Sequence, residues 1–142
     1  MQLHGKIGKS GLGFVSVYLL ATNNAINASI RFYVDTGASH TTIADRDAQR
    51  IGIDYSKLTK ASFAVSGVGG QVDAYLLPQC MVIFTLDNSA LVEYVDSILV
   101  LKHNPKTPEE QENVMEVPSL MGLDILKKYT VRFTNSSVIL ER

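Results

Sequence analysis

The sequence has one cysteine, almost no net charge and no long hydrophobic run, and each shortage excludes a class of protein. Cys80 is the single cysteine among 142 residues, so an internal disulfide is impossible. The 13 basic and 14 acidic residues are not clustered, which argues against nucleic acid or an anionic membrane as a partner. The N-terminal MQLHGKIGKSG lacks the apolar segment of a signal peptide, and the apolar run at 12–21 is too short to span a bilayer. We therefore predict a soluble cytoplasmic protein.

The hydrophobic fraction is large enough to bury a core. It amounts to 46%, against 19% charged residues, and the length fits one domain of ordinary size. We therefore interpret residues 1–142 as a single domain. Cys80 precedes the apolar letters MVIF, so we expect its thiol to be buried and inert.

Alternation of apolar and polar residues with period two dominates the chain and predicts strands. Asn23-Asn24 is a turn signal within a first hairpin, and Asn135-Ser136-Ser137 is a turn within a terminal one. Helical spacing over 42–51, stopped by Gly52, and over 123–129 predicts short helices. The predicted fold class is mostly β, a closed or partly closed barrel with one or two short helices. The predicted strands cover 14–20, 29–34, 60–65, 71–77, 79–86, 90–95, 97–101, 130–133 and 138–140.

Residues 102–118 break this pattern. They are polar, contain three of the four prolines and show no clear period, which predicts an exposed polar loop. Glu109, Glu110 and Glu112 form an acidic run that we interpret as a solvated face, with partner binding as the alternative.

Asp35 stands where a strand that contains Phe32 and Val34 ends. Burying an ionised carboxylate is costly unless other groups compensate for it. Thr36 and Ser39 offer hydroxyl groups, and Gly37 allows a tight turn. Asp-Thr-Gly is also an ordinary turn composition, but its place at the end of an apolar strand favours a functional carboxylate.

Two further stretches of the sequence bear on the function. The letters SGVGG, which are Ser66, Gly67, Val68, Gly69 and Gly70, lie between two predicted strands. A phosphate-binding loop would need a helix after its glycines, so a flexible hairpin tip is the better interpretation. Near the C-terminus, two apolar residues lead into a glycine that opens a helix. They are Leu120, Met121 and Gly122.

In this order, the three stretches resemble the retropepsin-like, or retroviral-type, aspartic proteases. In that family a strand ends in Asp-Thr-Gly-Ala/Ser, a glycine-tipped flap hairpin follows, and an apolar-apolar-Gly element opens a C-terminal helix. The resemblance covers roughly residues 12–140. The letters GLDIL at 122–126 look closer to cellular Ddi1-like members than to viral enzymes. The segment 102–118 is longer than in the compact viral pattern.

The resemblance implies a homodimeric aspartic endopeptidase that needs neither metal nor cofactor and acts on a peptide or protein substrate. Asp35 would be the catalytic residue, in an active-site loop with Thr36, Gly37, Ala38 and Ser39. The stretch SGVGG would be the substrate-binding flap, and Leu120, Met121 and Gly122 would be structural residues near the site. The chain has one Asp-Thr-Gly, so the second carboxylate must come from a second copy across a two-fold axis. The family also implies that the Thr36 side chains lock the two loops across this axis.

Other kinds of site are poorly supported. Ser39 and His40 are neighbours, and adjacent side chains on an extended segment point to opposite faces, so no Ser–His pair is expected. His4, His40 and His103 lack ligand spacing with Cys80, so no metal site is expected. The remaining alternative is a retropepsin-like dimeric peptide-binding or scaffold module without proteolytic activity.

Overall fold

The computed structural model describes residues 1–63, 65–67 and 70–142, and this part of the chain is mostly β, as predicted. Twelve strands lie within it: β1 Gln2–His4, β2 Lys6–Ile7, β3 Gly13–Ala21, β4 Ile26–Val34, β5 Thr42–Ile43, β6 Thr59–Lys60, β7 Val65–Gly67, β8 Gly70–Thr85, β9 Ala90–Lys102, β10 Leu120–Met121, β11 Thr130–Phe133 and β12 Val138–Glu141. The helices are α1 Asp45–Ile51, α2 Pro108–Glu116 and α3 Leu123–Leu126, with 3₁₀ turns at Thr22–Asn24 and Tyr55–Lys57.

The larger sheet curls into a ring. Its order is β2-β3-β4-β10-β5-β9-β8-β6, and β8 also pairs with β3, so the six strands from β3 to β8 close into a ring. The predicted closed or partly closed barrel is therefore confirmed. Two strand pairings in the ring are parallel, β10 with β4 and β5 with β9. The two long hairpins, β3–β4 and β8–β9, are antiparallel.

The core fills the ring. On β3, buried and outward residues alternate over much of the strand, because successive side chains of a strand point to opposite faces. Phe32, Leu19 and Val82 are fully buried, and each such side chain stabilises the fold by about 1.5–3 kcal/mol. Cys80 is 2% exposed, as predicted. Burial raises the pKa of its thiol to about 11, so little thiolate forms at neutral pH.

Most predicted turns are present. β3 and β4 pair over their whole length around the Thr22–Asn24 turn, and β11 pairs with β12. Gly52 ends α1 with a φ of 79°, a conformation that favours glycine. The predicted break between 77 and 79 is a local irregularity inside one strand, β8, where Gln79 has a φ of 54°.

The predicted helix over 42–51 begins too early. Thr42 and Ile43 form β5, and α1 starts only at Asp45. The two β-branched residues pair with Leu99 and Val100 of β9, so tertiary pairing decides their conformation.

The prediction of a loop over 102–118 is wrong in its middle, which forms α2. Thr107 caps this helix, since its Oγ1 accepts a hydrogen bond from the Glu110 amide at 3.1 Å. Glu110 accepts one from the Lys106 amide at 2.7 Å, and Pro108 occupies the first turn. The letters TPEE therefore carry a helix-start signal close to a capping box. Most of the segment is exposed, as predicted.

The two ends of the chain share a second, three-stranded sheet. β1 pairs with β12, which also pairs with β11. Within the described ranges, the helices are all too short or too polar to cross a membrane.

Candidate active site

Asp35 directly follows β4, where β10 lies parallel to that strand. Its amide donates a hydrogen bond to the Met121 carbonyl at 3.1 Å, and the Tyr33 amide donates one to Ser119 at 2.9 Å. Asp35 as a whole residue is half-buried. The strand that contains Leu120 and Met121 therefore fixes the backbone that presents Asp35.

The loop after Asp35 folds back on its carboxylate. The Gly37 amide donates to Asp35 Oδ1 at 2.9 Å, and the Ala38 amide donates to the Asp35 carbonyl at 3.2 Å. A main-chain amide therefore stabilises the Asp35 carboxylate, whereas the sequence had suggested side-chain hydroxyl groups for that role. Within the described part of the chain, the Thr36 hydroxyl has no such contact with Asp35, and the Ser39 hydroxyl bonds elsewhere.

Gly122 lies against this loop. A Cβ at Gly122 would stand 2.6 Å from the His40 carbonyl oxygen and 2.8 Å from that of Ala38. The Leu123 amide also donates to the Ala38 carbonyl at 2.8 Å. The structure therefore brings the predicted neighbours of the site, Leu120, Met121 and Gly122, to residues 35–40.

Asp124 is a positioning residue to which sequence reasoning gave no role. Its Oδ2 accepts the Thr41 amide at 2.9 Å, and its Oδ1 accepts the Thr41 hydroxyl at 2.7 Å. That hydroxyl in turn accepts the Gly122 amide at 3.1 Å. These bonds fasten the end of the Asp35 loop to the start of α3. The aspartate in the letters GLD was visible in the sequence, but Thr41, which it binds, lies 83 residues away and no local pattern joins the two.

Two aspartates in the first turn of α1 hold the ends of the 102–118 segment. Asp45 accepts the His103 amide at 2.8 Å and contacts the His103 ring at 2.6 Å. Asp47 accepts the Ser119 hydroxyl at 2.6 Å, while Ser119 Oγ accepts the Ala44 amide at 2.9 Å. The segment therefore leaves and rejoins the barrel beside the residues that follow the Asp35 loop.

Ser39 and His40 depart from expectation. Ser39 Oγ lies 3.0 Å from His40 Nδ1, because these residues lie in a bend rather than on an extended segment. The His40 ring also faces Phe63, with 6.1 Å between the ring centroids. Within the described residues, no carboxylate orients this histidine, so a catalytic triad does not form here.

The hairpin predicted as a flap is present as a strand pair. Val65 pairs with Val72 and Gly67 with Gly70. Val68 and Gly69, which belong to the predicted tip, lie outside the described residues. Across those that are described, no group of three or more His, Cys, Asp or Glu side chains is arranged to hold a metal ion.

A family model described as "gag-polyprotein putative aspartyl protease" matches residues 23–128. A retropepsin-like aspartic protease from Rickettsia conorii is similar in structure, with 19% identity, a TM-score of 0.56, and coverage of 99% of this chain and 90% of that one. EIAV protease in complex with the inhibitor HBY-793 shows 16% identity, a TM-score of 0.50, and coverage of 85% and 90%. At these identities the structural similarity concerns the fold alone. No curated protein matches the sequence.

The matched range includes Asp35, both strands that fix it, and Gly122. It spans well over half of the chain, and the ring of strands agrees with the fold of the two solved structures. This chain belongs to the retropepsin-like family of gag-polyprotein aspartyl proteases.

Proposed function

We propose that the chain is a homodimeric aspartic endopeptidase whose two Asp35 carboxylates activate a water molecule. The observation that carries the proposal is the half-buried Asp35, held at the end of β4 by main-chain hydrogen bonds. Asp-Thr-Gly occurs once in the sequence, so a pair of carboxylates requires two chains. The proposed active-site loop comprises Asp35, Thr36, Gly37, Ala38 and Ser39.

Two carboxylates a few Å apart cannot both ionise cheaply, so the pair would hold one proton. The ionised partner would take a proton from the bound water, and the protonated one would polarise the carbonyl of the scissile peptide bond. A tetrahedral intermediate then forms without a covalent bond to the enzyme. The Gly37 amide would hold the Asp35 carboxylate in place during these proton transfers.

The strand pair β7–β8 would act as the flap. Exposed backbone on such a hairpin can bind an extended peptide as an added strand. Closure over the peptide would exclude water other than the reacting molecule. We assign this role to Ser66, Gly67, Val68, Gly69 and Gly70, with Leu120, Met121 and Gly122 supporting the carboxylate from below.

The test is Asp35→Asn, compared with wild type on a diverse peptide library and read by mass spectrometry. The exchange is nearly isosteric, so we expect the fold to survive and cleavage to disappear. Undiminished cleavage by the variant would contradict the carboxylate mechanism. A wild type that binds peptides but never cuts them would support the peptide-binding or scaffold module instead.

The closer likeness to cellular Ddi1-like members stays a hypothesis that rests on the letters GLDIL. The cytoplasmic location, the single domain and the absence of a nucleic-acid partner likewise stay predictions from the sequence.

A further inference from the structure

The face of the larger sheet that points away from the core carries a patch of apolar side chains on β3, β8 and β9. Its six members, which we call the outer patch, are Tyr18, Leu20, Met81, Ile83, Val92 and Tyr94. The strand register places them side by side in two rows, with one residue from each strand in each row. Their chain neighbours Leu19, Val82 and Glu93 point to the opposite face and are buried.

The outer patch is not part of the core. None of its members belongs to either hydrophobic cluster formed by the described residues. Tyr94 is 73% exposed and Tyr18 is 41% exposed, while the other four are partly exposed. A sheet face that meets only water normally carries polar residues at such positions. Contiguous apolar patches on a protein surface mark sites of association, so the outer patch has the composition of an interface core.

Two opposite charges flank the outer patch at diagonally opposite corners. Arg31 lies on β4 opposite Ser16, two positions before Tyr18 and therefore beyond one row. Asp96 lies on β9, two positions after Tyr94 and therefore beyond the other row. Both side chains are exposed, and neither has an ion-pair partner in the described part of the chain.

The guanidinium group of Arg31 is held in place by an aromatic ring. Its Cζ lies 4.1 Å from the centroid of the Phe14 ring. A guanidinium group that stacks on a ring keeps N–H groups along its edge, and these can donate to a carboxylate. Arg31 can therefore meet an acidic group without first giving up its contact with Phe14.

We propose that the outer patch binds the outer patch of a second copy of this chain, face to face about a two-fold axis. The axis lies between the two sheets, perpendicular to the line from Arg31 to Asp96. Arg31 of each copy then faces Asp96 of the other, and the apolar rows cover one another. An isologous contact occurs twice, so these two charges give two ion pairs. This self-complementarity favours a second copy over an unrelated protein.

The association should be weak. A standard interface buries about 800 Å² on each partner, and six side chains supply only the apolar core of one. The polar side chains beside them, among them Asn27, Ser29 and Thr85, would form the rim. We therefore expect a dissociation constant of about 10–100 µM, so that dilute protein does not use this contact. The outer patch shares no residue with the Asp35 loop or with 120–124, so two of the proposed active dimers would join through it.

The test is sedimentation equilibrium from about 1 µM to about 500 µM, a range that spans the expected dissociation constant. We expect the mass to double across this range, starting from whatever mass the dilute protein has. Tyr94→Ser removes the most exposed side chain of the outer patch and should weaken the association about tenfold. Phe133→Ser, at an aromatic residue that is 55% exposed and lies outside the outer patch, is the matched control and should leave the association unchanged.

An exchange of charges tests the two-fold arrangement itself. Arg31→Asp and Asp96→Arg each bring like charges together in a pair of identical copies, so either variant alone should associate about tenfold more weakly. In an equal mixture of the two variants, both ion pairs form again with their charges reversed or restored. The mixture should therefore associate about as tightly as wild type, and the contrast should shrink at high salt.

Three results would overturn the proposal. The first is a mass that stays constant with concentration, which would leave the outer patch to an unrelated partner. The second is association that Tyr94→Ser does not weaken. The third is a mixture of the two charge variants that associates no better than either variant alone. Because sedimentation needs no cleavage, failure of the proposed proteolysis leaves the experiment readable.

Discussion

At the scale of single residues, Gly122 is a position beside the Asp35 loop where one added methyl group should do harm. Its Cα faces backbone atoms of His40 and Ala38, which cannot rotate away as a side chain could. Gly122→Ala should therefore displace the Asp35 loop. We expect a loss of about 1–3 kcal/mol in the free energy of unfolding, measured in urea, together with loss of cleavage.

Gly8→Ala is the control for that change. A Cβ there would have its nearest neighbour at 3.6 Å, an ordinary van der Waals contact. The free energy of unfolding should change by no more than about 0.5 kcal/mol. A similar loss in both variants would show that the close approach at Gly122 is not the cause.

Two adjacent buried threonines allow a second comparison. The Thr41 hydroxyl donates to Asp124 and accepts from the Gly122 amide, whereas Thr42 Oγ1 is buried with no hydrogen-bond partner in the described ranges. Thr41→Val should lower the free energy of unfolding by about 1–3 kcal/mol, because the Gly122 amide loses its acceptor and Asp124 Oδ1 loses one of its two donors. Thr42→Val removes an unpaired group and should be neutral or stabilising. Urea unfolding of the two variants measures the contrast, and equal losses would refute it.

Residues near in sequence were easier to predict than residues near only in space. Asp35, Gly37 and Gly122 were singled out because strand ends and helix starts are local patterns. The bonds of Asp124 to Thr41 and of Asp47 to Ser119 join residues 83 and 72 positions apart, and no local pattern encodes such a pair.

At the scale of elements, Glu93 ties the β8–β9 hairpin to the C-terminal part of the chain. Its side chain, 4% exposed, accepts Tyr129 OH at 2.5 Å, Lys128 Nζ at 2.9 Å and Arg142 Nη1 at 2.7 Å. Burial alone would raise the pKa of Glu93. The hydrogen bonds from Tyr129 and Lys128 and the charges of Lys128 and Arg142 outweigh burial, so the pKa lies below its ordinary value.

This pKa predicts how stability depends on pH. In the unfolded chain Glu93 returns to an ordinary value near 4.5, so near that pH the unfolded state binds more protons than the folded state. The stabilisation is complete above about pH 4.5 and is lost as the pH falls through the folded pKa. Glu93→Gln should therefore lower the free energy of unfolding at pH 7 by about 2 kcal/mol and flatten its fall below pH 5.

Asp96→Asn, an exposed position on the same strand, is the matched control. The free energy of unfolding of wild type and both variants should be measured in urea between pH 3 and pH 7. An unchanged pH profile in Glu93→Gln would contradict the role of this carboxylate.

Elements differed in how far the sequence revealed them. Long strands such as β3 carry enough alternation to be recognised, but β5 and β10 have two residues each and exist only because neighbours pair with them. The helix α2 has no buried residue, so it lacks the apolar stripe on which helix prediction depends. Its capping residues, Thr107 and Glu110, were the available signal.

At the scale of the whole molecule, the strand pattern predicted a closed or partly closed barrel, and the order of three motifs indicated the family. The parallel pairing of β10 with β4 brings a segment near residue 120 beside Asp35. Ring closure through β3 and β8 then depends on contacts far apart in sequence. The number of short strands predicted a closed or partly closed domain, but which strands pair to close the ring is not written in period-two patterning.

The proposed dimer makes a further prediction, because each active site would draw one carboxylate from each chain. Wild type and Asp35→Asn chains should be mixed in varied proportions, allowed to exchange, and assayed on one cleavable peptide at mildly acidic pH. A shared pair loses function when either chain carries Asn, so activity should fall with the square of the wild-type fraction. Sedimentation of each mixture should give twice the chain mass throughout. Activity that falls in direct proportion to the wild-type fraction would mean that each chain carries a complete site.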